Sequence, residues 1–205
     1  MMATGHQVVG FTFGVGALVL LPEVELFPDR PFQTVLYLVF VLFGALLPDI
    51  DTPRSKLGQK FWRLMMLVFS LALLVFLFAP EFFNTYREEL KVYVLLMLPI
   101  LIMIKSHRKM THSFLFIGLL VFYSFLIEKF FQVPFYLFSG IILGAISHLC
   151  GDFVTRKGIP LFYPLTKRFF RFPVTFRTGS LVEKAIVSIL ILGNVWYLMT
   201  IVFKM

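Results

Sequence analysis

The stretch Leu181–Phe203 reads L-V-E-K-A-I-V-S-I-L-I-L-G-N-V-W-Y-L-M-T-I-V-F. Its charged side chains, Glu183 and Lys184, stand at the very start, and the rest is almost wholly apolar. The hydrocarbon core of a bilayer requires a helix of about 20 such residues. The stretch therefore predicts a membrane-spanning helix, and it sets lipid as the solvent against which the rest of the chain is read.

The whole composition agrees. The chain has 205 residues, for which one domain is the expectation. It is 59% hydrophobic with 27 phenylalanines, where soluble domains are roughly 45–50% apolar. Six more apolar runs precede the last, at 8–21, 32–47, 62–79, 92–104, 114–127 and 134–150. The fold class is all-α: a polytopic membrane bundle of about seven segments, with six the alternative because several of the runs have only 13 to 17 residues. Runs this short must borrow their polar flanks to cross, or lie partly in the interface. Thr4 to Gln7 fits a capping box opening the first helix, Pro22 closes it, and Thr111 or Ser113 is placed to cap the fifth run. Between 151 and 180, Pro160, Pro164 and Pro173 argue against a continuous helix. The first seven residues hold no Lys or Arg, so the first run is expected to be retained rather than cleaved as a signal.

A net charge of +8 suggests nucleic acid, but in a membrane chain Lys and Arg chiefly report which loops stay in the cytoplasm. No specific nucleic-acid binding is expected. The lone Cys150 excludes an internal disulfide. With seven alternating spans, the N-terminus and residues 48–61, 105–113 and 151–180 share one face. With the flanking Arg63 and Lys184, that face carries 14 of the 19 Lys and Arg residues, so the positive-inside rule assigns it to the cytoplasm. All four histidines fall there too: His6, His107, His112 and His148. Asp49, Asp51, Asp152 and Glu183 join them, and the other seven acidic residues lie opposite.

Imidazole and carboxylate together suit Zn²⁺ and related divalent ions. His148 and Asp152, spaced i, i+4, share a face of one helix. His107 and His112 are i, i+5, about 140° apart on a helix, so a helix break is expected between them, with His112 opening the next helix. Asp49 and Asp51 form a D-x-D after Pro48, either a metal-bridging pair or a solvated helix-ending turn. Glu183 is a candidate ligand, a general base, or a partner for Arg177. Arg54 and Arg108 lie within a few residues of these ligand candidates, and guanidinium forks suit phosphate oxygens.

Four pieces of sequence then fall into a familiar order: T-G-H at 4–6, L-P-D-I-D-T-P-R-S at 47–55, H-R-K-M-T-H-S at 107–113 and S-H-L-C-G-D-F at 147–153, followed by R-T-G-S-L-V-E at 177–183. Together they resemble the YdjM-like family of membrane-bound metal-dependent hydrolases, also called LexA-binding inner-membrane hydrolases. The resemblance implies a metal-dependent hydrolase whose ligand positions match His6, Asp49, Asp51, His107, His112, His148 and Asp152. A more distant similarity, on H-x-x-x-D at 148–152 and an early histidine, is to the zinc phospholipase C and P1 nuclease group.

The expected function is hydrolysis of a phosphoester of a lipid or lipid-linked substrate at the cytoplasmic membrane edge. A di- or multinuclear site of divalent ions, zinc foremost, would activate water. Asp152 or Glu183 would orient that water, and Arg54, Arg108 and Arg177 would hold phosphate. The alternative from another class is a non-catalytic metal-binding or transport protein, or a membrane anchor for a regulatory partner. A transporter places ionisable groups near the midplane, whereas here they crowd one edge.

Overall fold

Most of the apolar runs form helices longer than themselves, because each helix takes in polar flanks to reach a spanning length. The computed structural model describes residues 1–21, 26–28, 30–51, 56–86 and 109–203. Among these, the order is α1 (Ala3–Leu20), α2 (Pro31–Gly44), a 3-10 turn (Leu47–Asp51), α3 (Lys56–Phe78), α4 (Pro80–Thr85), α5 (Phe114–Phe131), α6 (Phe135–Phe153) and α7 (Leu181–Phe203). The run at 62–79 thus becomes a 23-residue helix by starting at Lys56, about 35 Å at the α-helical rise. Among the described residues, six segments are long and apolar enough to cross a bilayer: α1, α2 with the turn after it, α3, α5, α6 and α7. The remaining run, 92–104, lies outside the described residues. No strand occurs among the described residues; two isolated bridges, Thr155 with Phe176 and Ile159 with Phe170, tie the connector between α6 and α7.

The chain divides into two units, Met1–Pro48 with His112–Met205, and Asp49–Thr111. In the second, α4 follows α3 after the single residue Ala79 and packs against it. In the first, α6 is central and packs on α1, α2 and α5, while α1 also meets α2 and α7.

Lipid tails are as apolar as Leu, so helices in a bilayer associate through close packing and polar bonds rather than hydrophobic burial. The first unit shows both. A Cβ on Gly144 would lie 2.1 Å from the Val41 carbonyl oxygen, and one on Gly44 would lie 2.2 Å from that of Ile141. Gly140 repeats the pattern one turn away, with the Tyr37 carbonyl 2.8 Å from its would-be Cβ. The backbones of α2 and α6 therefore touch along a seam where no side chain fits. Polar bonds add to this: Tyr37, fully buried, donates its hydroxyl to the Gly14 carbonyl at 3.4 Å, and Asn194 of α7 donates to Thr12 of α1 at 2.9 Å.

The capping expectations meet a mixed outcome. The box at Thr4 to Gln7 does not form, because α1 already starts at Ala3 with Met2 as its N-cap and no side-chain cap bond. The N–H of Met2 is bound instead by Glu183 of α7, at 2.7 Å. A tertiary partner has replaced the local one. Ser113 is the N-cap of α5, in extended conformation, again without a side-chain cap bond.

The seam makes a direct prediction. Gly144→Ala should lower stability to thermal unfolding in detergent by about 3 kcal/mol or more, since backbone must move to admit the methyl. Gly118→Ala on α5, where a Cβ meets nothing within 4 Å, should be neutral or stabilising by up to about 1 kcal/mol through helix propensity. Equal unfolding midpoints for the two variants would contradict the close approach.

Candidate functional site

His148 fixes the site because its ring orientation is set by backbone. It lies in the last two turns of α6, fully buried, with Nδ1 2.7 Å from the Ala45 carbonyl at the end of α2. A carbonyl oxygen only accepts, so Nδ1 carries the proton and Nε2 of the neutral ring presents a lone pair. That contact exists because the glycine seam brings α2 and α6 together just below it.

Two other donor atoms face the His148 lone pair. His112 Nε2 lies 3.3 Å away and Asp152 Oδ2 3.7 Å away, and the third edge, His112 Nε2 to Asp152 Oδ2, is 3.6 Å. His148 and Asp152 share one face of α6 at i, i+4, and His112 reaches them from the turn just before α5. Donor atoms 2.0–2.2 Å from a tetrahedral Zn²⁺ stand roughly 3.3–3.6 Å apart. The near-equilateral triangle therefore fits such an ion, and three protein donors leave further coordination positions open.

His6 completes the cluster from the first turn of α1. Its ring stacks on that of His148 at 3.7 Å between centroids and 9° between planes, and its Nε2 lies 3.2 Å from Asp152 Oδ1. The ring is fully buried, yet neither nitrogen makes a hydrogen bond of good geometry among the described residues. Buried polar atoms left in this state call for a proton or a cation. Asp152 Oδ1 also accepts from the Met1 amino group.

Gly151 makes the stack possible. A Cβ there would lie 3.1 Å from Met1 Sδ and 3.2 Å from His6 Nδ1, so any larger residue presses on the His6 ring. Glu183, at the start of α7, is fully buried and spends both carboxylate oxygens on backbone: Oε1 on Met2 N–H at 2.7 Å and Oε2 on Gly179 N–H at 2.6 Å. Its own N–H points to Ser180 Oγ at 3.4 Å, half of a capping box. Glu183 thus clamps the start of α7 to the start of α1, four residues before His6.

A model of the YdjM inner membrane protein family matches residues 1–205, the full chain. The chain belongs to this family. It is 28% identical to the inner membrane protein YdjM of Escherichia coli (strain K12) over 200 residues, covering 96% of this chain and 82% of that protein. It is 29% identical to YvsG of Bacillus subtilis (strain 168) over 166 residues, 81% of this chain and 80% of that protein. No solved structure matches significantly. Family membership and the six described segments of spanning length and apolarity make it a multi-pass inner-membrane protein.

Of the positions the YdjM motifs picked out, the structure brings His6, His112, His148 and Asp152 together. Asp49 stands half-buried in the 3-10 turn and belongs to the second unit. Asp51 ends the same turn, and its side chain lies outside what the structure describes. Arg54, His107 and Arg108 lie outside the described residues, so the break expected between His107 and His112 is visible only on its far side, where 109–113 is turn and α5 opens at Phe114. Arg177 is exposed near the end of the connector. Two contributors had no signal in the sequence: the Ala45 carbonyl, which any residue could supply, and Gly151, whose role depends on the His6 ring packed over it.

The Glu183 clamp is testable apart from any activity. Glu183→Gln leaves one of the two N–H groups facing an amide NH₂. Thermal stability in detergent should fall by about 1–3 kcal/mol, with backbone amides of Met2 and Gly179 exchanging faster. Unchanged exchange at both positions would contradict the clamp.

Proposed function

We propose that this chain is a membrane-bound, metal-dependent hydrolase that cleaves a phosphoester of a lipid or lipid-linked substrate. The observation that carries the reading is the triangle of His112 Nε2, His148 Nε2 and Asp152 Oδ2, with edges of 3.3, 3.6 and 3.7 Å. Two imidazoles and one carboxylate form a three-donor set of the kind that catalytic zinc sites use. A divalent ion bound there supplies Lewis acidity and lowers the pKa of a coordinated water toward neutrality.

The chain's own groups have separable tasks. Ala45 holds the His148 proton on Nδ1 and leaves the Nε2 lone pair to serve as a ligand. Asp152 offers Oδ2 to the donor triangle while its Oδ1 accepts from the Met1 amino group, which fixes the carboxylate plane. Glu183 acts as a positioning residue, because both its oxygens already accept from backbone. Arg177 is the described one of three arginines proposed for phosphate, with Arg54 and Arg108.

Membrane depth supports a lipid substrate. His6 lies in the first turn of α1, His112 two residues before α5, Asp152 one residue before the end of α6, and Glu183 in the first turn of α7. All are helix ends, at the level of headgroups rather than of the midplane. The positive-inside rule supports a cytoplasmic face.

Purified protein in detergent should retain zinc or a related divalent ion and hydrolyse phospholipid or lipid-linked phosphoesters. His148→Ala and Asp152→Asn should each lose the ion and at least ~100-fold of the activity, the scale on which site perturbation acts, with helical circular dichroism intact. Chelator should silence the wild type, and re-added metal should restore it. Full turnover in both variants would overturn the reading.

A further inference from the structure

Among the described residues, the connector 154–180 is the longest stretch outside the helices, and it is folded rather than slack. Ile159 and Phe170 exchange two backbone hydrogen bonds of 2.9 and 2.8 Å, Arg156 N–H donates to Phe176 at 3.0 Å, and Phe172 N–H donates to Phe153 at 2.9 Å. Gly158, at φ +65°, lets the Phe170 carbonyl pass where a Cβ would stand 2.4 Å away. Ile159 and Pro160 are buried beneath.

On this fixed frame the surface has an unusual makeup. It carries six exposed cations, Arg156, Lys157, Lys167, Arg168, Arg171 and Arg177, and no acidic residue between 154 and 180. None of the six is in an ion pair with a carboxylate among the described residues. Interleaved with them are exposed apolar side chains: Phe162, Phe169, Phe172, Val174 at 78% and Leu165 at 92% exposure. In water such apolar side chains, fixed by a backbone that cannot fold them inward, are unfavourable. Cations alone would suit many anions, but the pairing of these cations with outward Leu, Val and Phe suits a surface that is anionic outside and apolar just beneath. Both ends of the connector are helices of spanning length, α6 and α7, so the leaflet boundary is where the connector already stands.

We propose that the connector is a docking platform for the phosphate-bearing headgroups of anionic lipids. Lys167, Arg168 and Arg171 take the phosphate oxygens, and Phe162, Leu165 and Phe169 enter the acyl boundary, as in interfacial membrane-binding elements generally. The platform is wired to the histidine cluster by backbone: Leu161 accepts from Phe114 N–H at 2.9 Å, two residues after His112, and Phe153, which accepts from Phe172, follows Asp152. This inference stands without the hydrolase reading, since it invokes neither metal nor turnover.

The test places the full chain in nanodiscs of phosphatidylcholine, alone or mixed with phosphatidylglycerol, and follows amide hydrogen exchange across the connector. Connector amides not already held by the frame should exchange roughly tenfold more slowly in the anionic discs. Molar salt should erase the difference, and Lys167→Gln/Arg168→Gln/Arg171→Gln should abolish it while α6 amides stay protected. Equal exchange in the two membranes, or slowing that survives the triple substitution, overturns the proposal. The salt arm uses only the wild-type chain, so slowing that persists in molar salt overturns the proposal even if the variant does not fold.

Discussion

Where α2 crosses α6, backbone meets backbone because Gly44, Gly140 and Gly144 present no side chains to keep them apart. Lipid supplies no force that would otherwise press these helices together. The approach has a chemical result at its upper end. It carries the Ala45 carbonyl to 2.7 Å from His148 Nδ1, which selects one tautomer of a buried imidazole and aims its lone pair at His112 and Asp152. Move α2 outward by the width of a methyl group and the ring loses its orienting bond, with the donor triangle following.

A second constraint acts on α1. α1 must enter so that His6 lies flat on His148, and two features arrange this. Gly151 leaves room for the His6 ring, and Glu183 grips Met2 from the start of α7. A buried carboxylate is costly unless hydrogen-bonded, and the two N–H groups at 2.6 and 2.7 Å meet that need. One Asp among three imidazoles, at the ends of helices rather than mid-membrane, keeps the polar groups where water and headgroups are within reach.

Much of this was legible in the sequence because it depends on length and parity. Six of the seven apolar runs coincide with segments of spanning length among the described residues, and the meeting of His6, His112, His148 and Asp152 agrees with the single face that alternation of the runs assigned them. The i, i+4 spacing gave the His148–Asp152 edge through helix geometry alone. What could not be read was whatever depends on a partner far away in the chain. The local capping box at Thr4 to Gln7 was outcompeted by Glu183, 181 residues from Met2. The Ala45 carbonyl is invisible in a sequence because every residue has one, and the exposure of Leu165 and Val174 follows from a connector fold that three prolines do not specify.

The central claim is that His112, His148 and Asp152 hold one divalent ion. X-ray absorption spectroscopy of zinc-loaded protein tests it most directly. The account predicts a first shell of nitrogen and oxygen at about 2.0–2.2 Å, with the outer-shell scattering of two imidazoles that drops to one in His112→Ala. A sulfur shell near ~2.3 Å, the mark of Cys150 ligation, or imidazole scattering unchanged in that variant, would contradict it.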